Sequence, residues 1–173
     1  RGAGQNFGVI TEFVFKGHPQ SEVYMGTMIF PAIPDVVGRV VAATNNLYEF
    51  KQETPTGMQT KSQGRTNTVI GFARPPEAEG KVLMLVAMQV LVDNQAEAER
   101  IISEYLDIGP IMSTMRMGPY PEVNTLIPAP HGFGCSVKSS VFMPPLRAAL
   151  AIDALSRYKE FMNSCPDAQR TIL

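Results

Sequence analysis

From Lys81 to Val92 the chain runs Lys-Val-Leu-Met-Leu-Val-Ala-Met-Gln-Val-Leu-Val. A strand sends successive side chains to opposite faces. Val82, Met84, Val86, Met88 and Val90 therefore share one face, and Leu83, Leu85, Ala87 and Leu91 share the other. A strand with no polar face belongs in the middle of a covered sheet, because neither side can be given up to water. Gln89 is the single intruder. A carboxamide held inside such a sheet needs a hydrogen-bond partner or a cavity to look into, which makes Gln89 a candidate substrate-binding residue.

The neighbouring segments supply the rest of a sheet and its cover. Gly26 to Ile33 and Thr68 to Ala73 read as strands, the latter joined to Lys81–Val92 by the turn-rich stretch 74–80. Val36, Val40, Ala43, Leu47 and Phe50 recur at helical spacing and predict a helix over 35–50, broken by Thr54-Pro55-Thr56-Gly57. Residues 58–65 are polar and read as a weak strand. Asn94, with Glu97 three residues on, marks a helix start whose buried stripe is Ala98, Ile101, Ile102 and Tyr105, and Gly109-Pro110 ends it. Residues 117–134 read as a loop, 136–143 as an alternating strand, and Pro145 opens a helix to about Asn163. Antiparallel strands backed by helices on one face make an α+β open-faced sandwich.

Composition narrows the class of function. The 173 residues are 45% hydrophobic and 18% charged, with a formal net charge of -1, which argues against a nucleic-acid surface. No run of about eighteen apolar residues is present to span a membrane. Cys135 and Cys165 have no paired spacing and read as reduced, partly buried thiols, with one disulfide in a secreted protein as the other option. The compartment, secreted or cytoplasmic, stays open. His131 reads as a surface histidine on a loop and His18 as structural; the ten methionines read as core filler rather than metal ligands. The opening lacks an initiator Met and a signal-peptide pattern, and Thr171-Ile172-Leu173 reads as the start of another strand, so the chain is expected to be a piece of something longer.

Gly2, Gly4 and Gly8 at the opening suggest a dinucleotide fingerprint, but their spacing is GxGxxxG and β-branched and aromatic residues follow where that fingerprint needs a helix. The block Arg1-Gly2-Ala3-Gly4-Gln5-Asn6-Phe7-Gly8-Val9-Ile10-Thr11-Glu12-Phe13, ending at His18-Pro19, instead resembles the segment that closes the FAD-binding half of FAD-linked oxidases of the berberine-bridge-enzyme-like group, in the vanillyl-alcohol-oxidase superfamily. Ala3 and Gln5 stand where that family usually has glycines. Tyr105 to Pro110, then Met117 and Pro119 to Asn124, are similar to a second family block, and Val137 to Phe142 to its Lys-Ser strand.

The resemblance implies residues 1–20 as the end of an FAD-binding domain, including its last strand, and residues 21–173 as a substrate domain whose open sheet face closes over the flavin. It implies FAD as cofactor, contacted near Gly4, Asn6, Gly8 and Val9, where glycine lets the main chain approach a nucleotide. If the helices pack on the side of Val137, Ser139 and Val141, Lys138 faces the substrate cleft with Ser140 and Phe142 and would lower the pKa of a neighbouring phenol acting as base; its other reading is a solvated surface lysine. The intact enzyme would move a hydride from an alcohol, sugar or amine carbon to flavin and pass the electrons to oxygen. Its partners would be a small-molecule substrate and the FAD-binding half of the same protein; alone, this segment would be inactive. The alternative is a stand-alone, flavin-free binding protein or cyclase that uses the open sheet face as its pocket.

Overall fold

A computed structural model describes residues 9, 11–17, 19, 22–48, 50–54, 57–60, 64–75, 78–126 and 146–165. Strand β1 (Glu22–Pro31) is followed by helix α1 (Pro34–Tyr48), the hairpin β2 (Phe50–Thr54) and β3 (Gly57–Thr60), and strands β4 (Thr66–Ala73) and β5 (Leu83–Val90). Helices α2 (Gln95–Ile101) and α3 (Ser103–Ile108), short strands β6 (Met112–Ser113) and β7 (Arg116–Pro119), a 3₁₀ helix (Tyr120–Thr125) and helix α4 (Ala148–Ser164) complete the order.

The apolar run does what its two faces require. β5 lies between β4 and β1, antiparallel to both, and β6 and β7 share the far edge of β1. Register aligns Phe30, Met84 and Phe72 in one row and Met28, Val86 and Ile70 in another. These rows face Val37, Val40, Ala43 and Leu47 of α1, Ala98 and Ile101 of α2, Tyr105 of α3, and Leu155, Tyr158 and Met162 of α4. All four helices therefore cover one face of the sheet, and each fully buried large side chain contributes about 1.5–3 kcal/mol. The fold is α+β, an open antiparallel sheet backed by helices.

Polar clasps join the layers. Tyr105 donates from its hydroxyl to Thr44 Oγ1 at 2.9 Å, and Thr44 donates to the Val40 carbonyl at 2.7 Å. Tyr48 reaches Thr68 of β4 at 2.9 Å. Asn45 holds the approach to α4 from both sides, donating to the Leu146 carbonyl at 2.8 Å and accepting from the Leu146 N–H at 3.0 Å.

Several expectations are corrected. Residues 11–17 form no strand and pair with no described strand, and Val9, Phe13, Val14 and Phe15 are exposed; β-forming residues become a strand only where a neighbour satisfies their backbone groups. The helix expected over 35–50 starts at Pro34, which lacks the N–H that a first turn leaves unpaired anyway, and Phe50 opens β2 instead of ending α1. The helix after Asn94 breaks at Ile102 (φ -97°, ψ 12°) into α2 and α3, and Gly109 stops α3 with φ 82°. The start of α4 is Ala148, three residues beyond the expected proline. The stretch read as a loop from Met117 holds most of β7 and the 3₁₀ helix. Cys165 is exposed rather than partly buried. The strand expected at 136–143 lies outside the described residues.

Candidate functional site: a carboxamide-lined cavity on the open sheet face

With the helices on one side, the odd-numbered residues of β1, β4 and β5 face the other. Register places Thr27, Ala87 and Val69 in one row, and Ile29, Leu85 and Gly71 in the next. This face is apolar and half-open: Val69 is 40% exposed, while Ala87 is 5% exposed. At one end of it Met25, Gln89 and Asn67 align.

The 3₁₀ helix roofs that end. Pro121 lies in its first turn, where a fixed φ favours helical geometry. Arg116 pairs with Glu122, and Thr125 bonds back to the Glu122 carbonyl at 2.7 Å. Val123, Asn124 and Leu126 are thereby set over Gln89, Asn67 and Val69 around a cavity of about 160 Å³. Gln89 Oε1 is buried there with no hydrogen-bond partner. An orphaned acceptor of this kind costs about 1–3 kcal/mol, and buried polar atoms are normally satisfied. Gln89 therefore looks into a cavity, one of the two outcomes its position in the sequence allowed.

The chemistry follows from the donors present. Asn67, Gln89 and Asn124 supply carboxamides, and among the described residues none that lines the cavity ionises. Gln89 Oε1 is closed to water in this arrangement, so a ligand O–H or N–H reaches it once the amide turns toward the cavity; proton transfer must come from another group. The tyrosines with displaced pKa values lie in the helix-side core. Burial, followed by the charge of Glu99, raises Tyr24 above its ordinary value, and burial raises Tyr105 despite its bond to Thr44. Among the described residues no group of three His, Cys, Asp or Glu is placed to hold a metal, and no helix is long and apolar enough to cross a membrane.

Of the residues singled out in the sequence, Gln89 sits in the cavity and Val9 is described and 92% exposed. Gly4, Asn6, Gly8, Lys138, Ser140 and Phe142 lie outside the described residues, as do His18, His131 and Cys135. Asn67 and Asn124 went unrecognised. Asn67 is exposed between Thr66 and Thr68, and only register sets it beside Gln89.

Comparison with known proteins bears on this geometry. Over 112 residues, 55% of this chain, the sequence is 32% identical to an FAD-linked oxidoreductase of Dictyostelium discoideum. The chain is related to an FAD-linked oxidoreductase. It spans 25% of the length of that relative. No protein-family model and no solved structure matches it.

Proposed function

We propose that this chain is the substrate-domain portion of an FAD-dependent oxidoreductase of the berberine-bridge-enzyme-like group, preceded over residues 1–20 by the end of an FAD-binding domain. The observation that carries the reading is Gln89, its Oε1 without a hydrogen-bond partner, set beside Asn67 at the end of the mainly apolar rows of the open sheet face. The described residues fit part of such a site. Flat rows of Thr27, Ala87 and Val69 and of Ile29 and Leu85 suit a planar ring or an apolar substrate body, and Gln89 with Asn67 and Asn124 suits its polar end. Bound flavin would supply two-electron chemistry, accepting hydride from an alcohol, sugar or amine carbon and returning the electrons to oxygen. Gln89 would hold the substrate O–H or N–H, and the apolar rows would keep water from the reacting carbon. Lys138, Ser140 and Phe142 remain the proposed residues of the other cleft wall, and Gly4, Asn6, Gly8 and Val9 the proposed cofactor contacts.

The test is made on the full-length polypeptide that contains this segment. The wild type is expected to purify with a flavin absorbance band, and Gln89→Leu to keep that band while KM rises about tenfold, the loss of one buried hydrogen bond. A full-length protein without flavin overturns the reading. The second reading is a flavin-free binding protein or cyclase that uses the same open sheet face as its pocket. Native mass spectrometry separates the two, since a dimer without flavin supports the second and a flavin-bearing species the first.

A further inference from the structure

A larger cavity, of about 450 Å³, lies where β1 and β4 end and β5 begins, beneath the last turns of α4. Six residue steps along β5, about 20 Å at strand rise, separate its Leu83 from Gln89, so it is not an extension of the site above. Arg74, Lys81 and Lys159 line it together with the Asn163 amide, and among the described residues no carboxylate does. In a chain of net charge -1 this local excess is not a consequence of basic composition. Of the described carboxylates, Glu79 and Glu160 adjoin the cluster in sequence but are not in the lining; Glu77, also near it in sequence, lies outside the described residues.

Two of the cations are held in place by main-chain oxygens. Arg74 Nη2 donates to the Met162 carbonyl at 3.0 Å and Lys159 Nζ to the Ala32 carbonyl at 3.3 Å. Each head keeps further donors, since a guanidinium carries five N–H groups and an ammonium three. The turn before β5 delivers the third: Glu79 and Gly80 both take positive φ, and the Lys81 N–H closes the turn on the Ala78 carbonyl at 2.9 Å. Lys81 forms no ion pair with a described residue. Three like charges around one cavity repel one another unless an anion sits between them. The remaining wall is apolar, with Ile33, Val82 and Met162 among its residues, and it suits an anion with an apolar body rather than a bare one.

We propose that this cleft binds a small organic carboxylate, its oxygens among Arg74, Lys81 and Lys159 and its apolar body against Ile33, Val82 and Met162. The experiment is thermal unfolding of the whole chain against benzoate at ionic strength held constant with chloride, with inorganic phosphate as the anion lacking an apolar body. Benzoate is expected to raise Tm saturably, with phosphate several-fold weaker. Lys81→Gln is expected to raise the half-saturating benzoate concentration about fivefold, as loss of one exposed charge contact would, while Lys81→Arg restores it. Lys81 is exposed and caps no helix, so its variants keep the fold that Arg74 variants would disturb. Absence of saturation, an unchanged response in Lys81→Gln, or phosphate binding as tightly as benzoate overturns the proposal.

Discussion

Two glycines illustrate how the surroundings of a single residue decide the sign of a mutation. At Gly26 the far edge of β1 passes from β6 to β7, and Thr114 bridges the gap by donating its N–H to the Thr27 carbonyl at 2.9 Å while its hydroxyl accepts the Thr27 N–H at 3.0 Å. A Cβ on Gly26 would lie 2.6 Å from Thr114 O and 2.7 Å from Met115 Cα. Both are backbone atoms and cannot swing aside. Gly26→Ala is expected to cost about 2–3 kcal/mol, read as a lowered urea midpoint. Gly38, inside α1, has nothing within 4 Å of its would-be Cβ, so Gly38→Ala is expected to stabilise by about 0.5–1 kcal/mol in the same assay. Gln89→Leu should also stabilise, by about 1 kcal/mol, because it removes a buried acceptor that has no donor. A gain in stability paired with weaker substrate binding is the signature of a residue kept for function; a loss would mean that the carboxamide has a structural partner.

At the scale of elements, legibility depended on how local the signal is. The cap of α2 is a four-residue motif: Asn94 accepts the Glu97 N–H at 2.9 Å, as the spacing of the two residues predicts. Asn94→Ala is expected to cost about 1 kcal/mol. Asn45 has no local signature, since an asparagine in mid-helix reads as a solvent-facing residue. Its bonds to both backbone groups of Leu146 cross 101 positions of sequence. Asn45→Ala leaves two part-buried main-chain groups to find water and is expected to cost about 2 kcal/mol, twice the cap. Chemical denaturation of the two variants side by side checks the ranking. The strands β6 and β7 were illegible for the same reason. They span two and four residues, too short for a period to register, and exist because β1 offers them an unpaired edge.

For the whole molecule, the buried tyrosines set an alkaline limit. Burial raises Tyr105 and Tyr24 above the usual tyrosine value near 10. In the unfolded chain both ionise near that value, while in the folded protein both stay protonated to higher pH. The folded state therefore holds more protons above about pH 10, and stability is full below that pH and falls as pH rises through it. Alkaline titration of unfolding is expected to show this loss, and Tyr105→Phe to flatten it at the expense of the Thr44 bond. The half-open rows around Ala87, on the sheet face opposite the helices, and the exposed Phe13 and Phe15 leave apolar surface that the described residues do not cover.

Alternation and helical spacing, read along the chain, were enough for the class of fold, the central position of β5, the main helices and the exceptional standing of Gln89. Those properties follow from which side chains water will accept, and that is written in the order of residues. The tertiary structure alone decided which face of the sheet the helices cover, that Asn67 and Asn124 stand beside Gln89, and that Arg74, Lys81 and Lys159 converge on one cleft. It also decided that residues 11–17, with every local mark of a strand, are not one. Each of these depends on register and on partners distant in sequence, and no local pattern carries the free energy of a contact that has yet to form.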